Sequence, residues 1–472
     1  VAVALLAGLA GCSGEGRPNI LFIVIDTARA DRFPWHGYAR PTAPRLDALA
    51  REGTVYINAT SPAPWTVPAH ASLFTGQYPS LHHTDCGSLK LPDEEVTLAE
   101  ALQSAGYRTV AYVANPWLGS TFNFTQGFDT WVETWHNLEH GGPDTGAQDN
   151  SEHMEAYLRW YAGSLDARSR PFFMFVNYLE PHLPYHPPEP ERSRLLRAPV
   201  DPARLDHLMQ VSHPDEMAFI LGRSDLTPSD MAVLNDLYDG EIAYVDRRIG
   251  EVVDLMRRLD LLDRTILVVT SDHGENIGDH GLMDHKMSVD ATLLHVPLLL
   301  RYPRRVAAGV RVETPVQTHD LYPTLLALAR ASLPEGTVVE SVPLPGVDLP
   351  GTWGRRSAPR RPEDPIIGEF AGPPSEFMTI MAQEFPGADL SRYNRTLVSL
   401  SHGGWTIHWG SDGHHTLFHA ADDPGELRDL ASSEPARIES MTQEVDAWLH
   451  RPARSRLVAP ASAPAAKPRP SS

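Results

Sequence analysis

The chain has 472 residues with 40 Lys+Arg against 60 Asp+Glu, a formal net charge of −20. At roughly 150 residues per domain this predicts two or three domains. Hydrophobic residues at 42% and charged residues at 21% exclude a mainly disordered or collagen-like chain. The acidic balance argues against a nucleic-acid partner, because non-specific binding needs basic patches that displace counterions. Two cysteines cannot build a disulfide scaffold.

Residues 1–10 form an apolar run of Val, Ala, Leu and Gly, shorter than the ~20 residues that span a bilayer. The run closes with Leu9-Ala10-Gly11-Cys12 and a polar, flexible Ser13-Gly14-Glu15-Gly16. A short apolar segment ended by small residues is the core of a secretory signal, and with its Cys this one resembles the bacterial lipoprotein processing box. Residues 1–16 are therefore read as a lipoprotein signal remnant and tether, with Cys12 as the lipidated residue. The expected location is the bacterial cell envelope, outside the cytoplasm and held to the membrane by lipid. Cys86 is then a lone thiol.

From residue 17 onward strand and helix signals alternate. Residues 19–25 (Asn-Ile-Leu-Phe-Ile-Val-Ile) are a continuous apolar run of strand length, as expected for a strand covered on both faces. Residues 45–52 and 97–105 carry helical spacing, and residues 109–114, 172–178 and 265–270 are further strands. Residues 231–262 show a long amphipathic pattern with Tyr238, Ile242, Val245, Ile249, Val252, Val253 and Met256 on one side. This alternation predicts a mostly parallel α/β sheet in residues 17–333. Residues 334–365, rich in Pro, Gly and Arg, read as a connector. Short strands at 366–370, 396–400, 405–409 and 415–419, then a helix at 437–449, predict a small α+β unit over 366–450. The Pro/Ala-rich residues 451–472 read as a disordered tail.

The chemistry starts at the carboxyl ends of the strands, where open α/β sheets bind ligands. Asp26 directly follows the first strand, and Asp272 and His273 follow the strand at 265–270. Two carboxylates and an imidazole make a divalent-metal site with open positions. Thr66 stands just before Pro68 and an apolar helical run. A helix start offers free N–H groups and a favourable dipole for an anion, so a metal-bound Thr66 oxygen is a candidate nucleophile.

These segments resemble the sulfatases of the alkaline phosphatase superfamily, from about residue 18 to residue 449. The resemblance rests on Asn19 to Thr27, Gly37-Tyr38-Ala39-Arg40-Pro41-Thr42-Ala43-Pro44, Pro68 to Gly76 and Glu180-Pro181-His182-Leu183-Pro184-Tyr185. It continues through Thr270 to Glu275, Gly278 to Lys286 and Asp320 to Leu326. It implies an alkaline-phosphatase-like central sheet flanked by helices, with a smaller C-terminal α+β domain, and a hydrolase acting on ester bonds. It maps metal ligation onto Asp26, Thr27, Asp272 and His273, the nucleophile onto Thr66, and contacts to the transferred group onto His182 and Lys286.

Several positions depart from the family pattern. Its nucleophile is a Cys or Ser oxidised to formylglycine, in Cys-x-Pro-Ser-Arg or Ser-x-Pro-Ser-Arg. Here the segment reads Thr66-Val67-Pro68-Ala69-His70, so His70 replaces the Arg and no formylglycine is expected. Ala114-Asn115-Pro116-Trp117 stands where sulfatases carry Gly-Lys-Trp-His, and Asn115 is a candidate donor to a phosphoryl oxygen. A sulfated threonine has no aldehyde to collapse to, whereas a phosphothreonine can be hydrolysed by activated water. The expected reaction is therefore cleavage of a phosphoester or phosphonate ester on a small-molecule, glycan or lipid substrate. The alternatives are a sulfuric ester hydrolase of arylsulfatase type and a non-catalytic, metal-holding binding protein. Oxygen ligands alone favour calcium or magnesium, while His273 shifts the expected single cation toward manganese or zinc. His280 and His285 are close enough in sequence to serve a second metal or to bind substrate.

Overall fold

The computed structural model describes residues 16–135, 145–333, 336–350 and 360–451. Cys12, residues 136–144, most of the second half of the connector and the tail from 452 lie outside the described residues. The strands of the larger sheet are β1 (Asn19–Ile25), β2 (Thr54–Tyr56), β3 (Arg108–Val113), β4 (Thr130–Glu133), β5 (Phe172–Tyr178), β6 (Thr265–Thr270), β7 (Leu298–Arg301) and β8 (Val310–Val312). Their order is β8-β2-β7-β6-β1-β5-β3-β4. β1 pairs in parallel with both β5 and β6, and β3 in parallel with β4 and β5. β7 runs antiparallel to β6 and β2, so the sheet is mixed on one side.

The central strands are apolar on both faces because both faces are covered. Leu21, Ile23 and Ile25 point to one side, with Met174, Val176, Leu267 and Val269 from the neighbouring strands. Ile20, Phe22 and Val24 point to the other, with Phe173, Phe175, Ile266 and Val268. Among the helices are α1 (Pro44–Ala50), α2 (Thr66–Thr75), α3 (Leu98–Ser104) and α4 (Pro228–Arg258). α4 covers the first face with the stripe read from the sequence, Tyr238, Ile242, Val245, Ile249, Val252, Val253 and Met256. Helix α2 (Val67, Ala71, Phe74) and α3 (Leu98, Leu102) cover the second. Each fully buried Val, Leu, Ile, Phe or Met side chain among them contributes about 1.5–3 kcal/mol. α4 begins three residues before the amphipathic pattern because Thr227 and Asp230 form a capping box around Pro228 at the first turn.

The C-terminal unit is an antiparallel sheet of β9 (Ile366–Phe370), β10 (Leu397–His402), β11 (Trp405–Gly410) and β12 (Thr416–His419), in that order. Helix α5 (Pro435–Leu449) lays Met441 and Val445 on Ile367, Val398, Leu400, Ile407 and Leu417. Glu369 of β9 ties this unit to the larger one. Its carboxylate accepts from Ser80 N–H and Oγ–H, both at 2.8 Å, and from Trp448 Nε1–H at 2.6 Å. The short strands β2 and β7 and a helix at Ser375–Glu384 were not legible in the sequence.

Candidate active site

The register of the parallel strands decides which residues meet. Val24 is opposite Asn177 on one side and Thr270 on the other. The residues just beyond, Asp26 and Asp272, therefore emerge at one end of the sheet, and Asp26 N–H donates to Tyr178 O at 2.9 Å. α2 points its first residue at the same place. Thr66 is not used as a helix cap, since the N-cap is Trp65 and carries no side-chain cap bond. Its Oγ1 lies instead 3.3 Å from His273 Nε2 and 3.4 Å from Asn115 Nδ2.

Asp26, Asp272, His273 and Thr66 are all buried. His273 Nδ1–H donates to Gly274 O at 2.9 Å, which leaves the Nε2 lone pair facing the site. Nε2 lies 3.3 Å from Asp272 Oδ2 and 3.9 Å from Asp26 Oδ1. One donor atom each from Asp26, Asp272 and His273 falls within 4.8 Å of the others. Asp26 Oδ1, Asp272 Oδ2 and Thr27 Oγ1 are buried with no hydrogen-bond partner. Unpartnered buried oxygens are costly, and a positive ion between Asp26 Oδ1 and Asp272 Oδ2 would remove that cost for those two. Two carboxylates, a hydroxyl and an imidazole with a free lone pair therefore fit a divalent cation.

The surroundings hold these donors in place. Asp26 Oδ2 accepts from Asn115 Nδ2–H at 2.7 Å and from Asn177 Nδ2–H at 3.2 Å. Asn115 thus buttresses Asp26, while its Oδ1 caps the next turn by accepting from Trp117 N–H at 2.9 Å. Thr27 adopts φ 56°, a left-handed conformation uncommon for a β-branched residue. Tyr238 of α4 secures it, donating to Thr27 O at 2.7 Å and accepting from Arg29 N–H at 3.0 Å. Thr27 N–H donates to Asp272 Oδ1 at 3.3 Å and Ala28 N–H to Ser271 Oγ at 2.9 Å, so the two ligand loops are bonded to each other. Gly274 admits no side chain, because a Cβ there would lie 2.0 Å from Thr292 O.

Burial and the neighbouring Asp272 charge push the Asp26 carboxyl up to about 6. Burial acts on Asp272 the same way, but with no cation between them a protonated His273 outweighs it and holds that carboxyl below the usual range. His70, the residue in place of the family Arg, is fully buried within α2. Its Nδ1 lies 2.9 Å from Thr66 O and 3.4 Å from Asp272 Oδ2, and burial lowers its pKa. His70 thus stands against both Thr66 and Asp272.

Of the remaining sequence candidates, His285 stands beside His273, and His182 beside His285. His182 Nδ1–H donates to Leu183 O at 2.6 Å, and its ring stands edge-on to His285 at 5.0 Å. His285 is itself 4.4 Å from the His273 ring, so three imidazoles line one wall. The Lys286 side chain is 39% exposed, and its ammonium donates to Asp284 Oδ2 at 2.8 Å. His280 is exposed and lies by a cavity it shares with His408 and His414 of the C-terminal unit, apart from the buried wall. Burial pushes the Cys86 thiol up to about 12. Sequence reasoning missed Asn177, Tyr238, Ser271 and Glu275. Only Asn177 carried a visible signal, a polar residue near the end of an otherwise apolar strand.

The family model for sulfatases matches residues 18–331. The ulvan-active sulfatase of Formosa agariphila is 28% identical over 68% of this chain and 63% of its own length. The choline-sulfatase of Rhizobium meliloti is 26% identical over 90% of this chain and 85% of its own. The phosphonate monoester hydrolase of Agrobacterium radiobacter has the same fold, with a TM-score of 0.71, 21% identity, and coverage of 91% of this chain and 95% of that one. The chain belongs to the sulfatase family and is an ester-hydrolysing enzyme.

Proposed function

We propose that the enzyme cleaves a phosphoester or phosphonate ester through Thr66. The observation that carries this reading is the Thr66 hydroxyl itself, buried, free of capping duty and 3.3 Å from His273 Nε2. A threonine β-carbon bears a methyl group, so the aldehyde route of sulfatases is closed to it. Asp26, Thr27, Thr66, Asp272 and His273 would hold the cation, with manganese or zinc favoured by the imidazole. A bound divalent ion supplies Lewis acidity, which eases ionisation of a nearby hydroxyl and offsets charge on phosphoryl oxygens.

The chain's own groups account for the rest. Thr66 Oγ1 forms a bond to phosphorus as the bond to the leaving oxygen breaks. The leaving oxygen gains one proton and Thr66 loses one. His182, whose Nδ1–H is engaged with Leu183 O, has Nε2 to carry that proton to the leaving oxygen. Lys286 offers a compact positive charge for the transition state. Water then attacks the phosphothreonine, releasing the phosphoryl product and restoring the Thr66 hydroxyl. Sulfate ester hydrolysis is the second reading, favoured by the names of the two relatives, both sulfatases. A panel of phosphate monoesters, diesters, phosphonates and sulfate esters, each with manganese, zinc and calcium, separates them. Phosphoester or phosphonate turnover above every sulfatase rate, with a phosphorylated Thr66 peptide trapped by mass spectrometry, is expected. A sulfatase rate above all others overturns it. Cys12, outside the described residues, is proposed as a lipid attachment that holds the enzyme to a membrane outside the cytoplasm.

A further inference from the structure

Beside the Thr66 centre lies a second buried cluster that the chemistry above does not use. Glu275, Asp284 and His285 each offer one donor atom, all within 4.8 Å of one another. Glu275 is completely buried, and neither of its carboxylate oxygens has a hydrogen-bond partner. His285 Nδ1 lies 2.5 Å from Asp284 Oδ1, which also accepts from His285 N–H at 2.6 Å, and 3.4 Å from Glu275 Oε1. We propose that these three residues form a second divalent-cation site, distinct in its ligands from the one at Asp26, Asp272 and His273.

Charge balance supports the assignment. Glu275, Asp284 and the neighbouring Glu216 place three buried carboxylates in one region. The facing cations are Lys286, bonded to Asp284 Oδ2, and His213, whose Nδ1 is 2.5 Å from Glu216 Oε1. Both are spoken for, and neither bonds Glu275. A fully buried carboxylate with no donor is among the costliest groups in a protein interior, and a coordinated cation removes that cost. Two carboxylates and an imidazole suit zinc or manganese better than an all-oxygen ion. Asp284 can serve both partners because its two oxygens face different ways, Oδ2 to Lys286 and Oδ1 to His285. His285 also touches His273, with ring centroids 4.4 Å apart, so the two donor sets share a wall. A cation there adds positive charge on the Lys286 side of the site.

The test is metal content of the purified full chain, loaded with zinc or manganese alone, separated from free ion and measured by mass spectrometry. The wild type should retain two equivalents. Glu275→Gln and His285→Ala should each retain one, Asp272→Asn should lose the other, and Glu275→Gln with Asp272→Asn should retain none. Circular dichroism checks folding, and the isosteric Glu275→Gln carries the test should His285→Ala fail to fold. A wild type holding one equivalent overturns the proposal, as does a second equivalent that survives both Glu275→Gln and His285→Ala. Either result leaves the Thr66 reading intact, because that reading is tested by the substrate panel and by Asp272→Asn.

Discussion

Tyr238→Phe isolates a single buried hydroxyl on which the shape of the metal loop depends. The ring stays, so its edge-on packing against Tyr185, with centroids 5.5 Å apart, is kept. What is lost is the bond to Thr27 O at 2.7 Å and the bond from Arg29 N–H at 3.0 Å. Leaving a buried backbone group unpaired costs about 1–3 kcal/mol each. Thr27, at φ 56°, also holds about 1–3 kcal/mol of backbone strain that this hydroxyl helps to contain. Some of the loss is recovered when the loop relaxes, so a net destabilisation of about 2–4 kcal/mol is expected. Relaxation moves Thr27 away from Asp272, and loss of such supporting contacts lowers metal affinity about 10–100-fold. Urea unfolding of the metal-free variant and manganese titration of the folded variant read the two effects separately. If both stability and affinity match the wild type, Tyr238 is only a packing residue and the account of the loop is wrong.

Thr66→Ala should abolish turnover while metal content and fold persist; because Thr66 caps nothing, its stability cost should fall below the ~0.5–2 kcal/mol of a lost cap, measured by thermal unfolding. Asn177→Ala removes one of two donors to Asp26 Oδ2 and should weaken metal binding about 10-fold, read by calorimetric titration, with no change in substrate preference. Asp246 accepts from Leu46 N–H at 2.7 Å and Arg45 N–H at 3.1 Å at the start of α1, yet burial pushes its carboxyl up to about 7 from the ordinary 3.8. A raised acid stabilises the fold fully below its unfolded pKa and loses that contribution as pH rises to the folded value. The stability of Asp246→Asn relative to wild type should therefore grow by about 2–3 kcal/mol between pH 5 and 7 and level off above; a constant difference refutes it. With lipid on Cys12 as the attachment proposed above, Cys12→Ser is expected to move the protein from the membrane to the soluble fraction, read by fractionation.

Local sequence was enough to predict the parts of this protein whose physics is local. A strand covered on both faces must be apolar throughout, so residues 19–25, 172–178 and 265–270 could be read to the residue. The same holds for the stripe of α4, because one helix face meets one sheet face. Asp26, Thr66, Asp272 and His273 were visible because they follow strands or open a helix, within segments of recognisable order. Tertiary structure alone decided what supports them. Asn177 reaches Asp26 only because β1 and β5 pair in one register, and Tyr238 reaches Thr27 across 211 residues of chain. β7 is four residues long and antiparallel, and nothing in so short an apolar run specifies direction. Glu275 reads in sequence as an ordinary loop acid. Its complete burial beside Asp284 and His285, and with it the case for a second cation, arises only when Asn276 and Ile277 pair antiparallel with Asp284 and Met283.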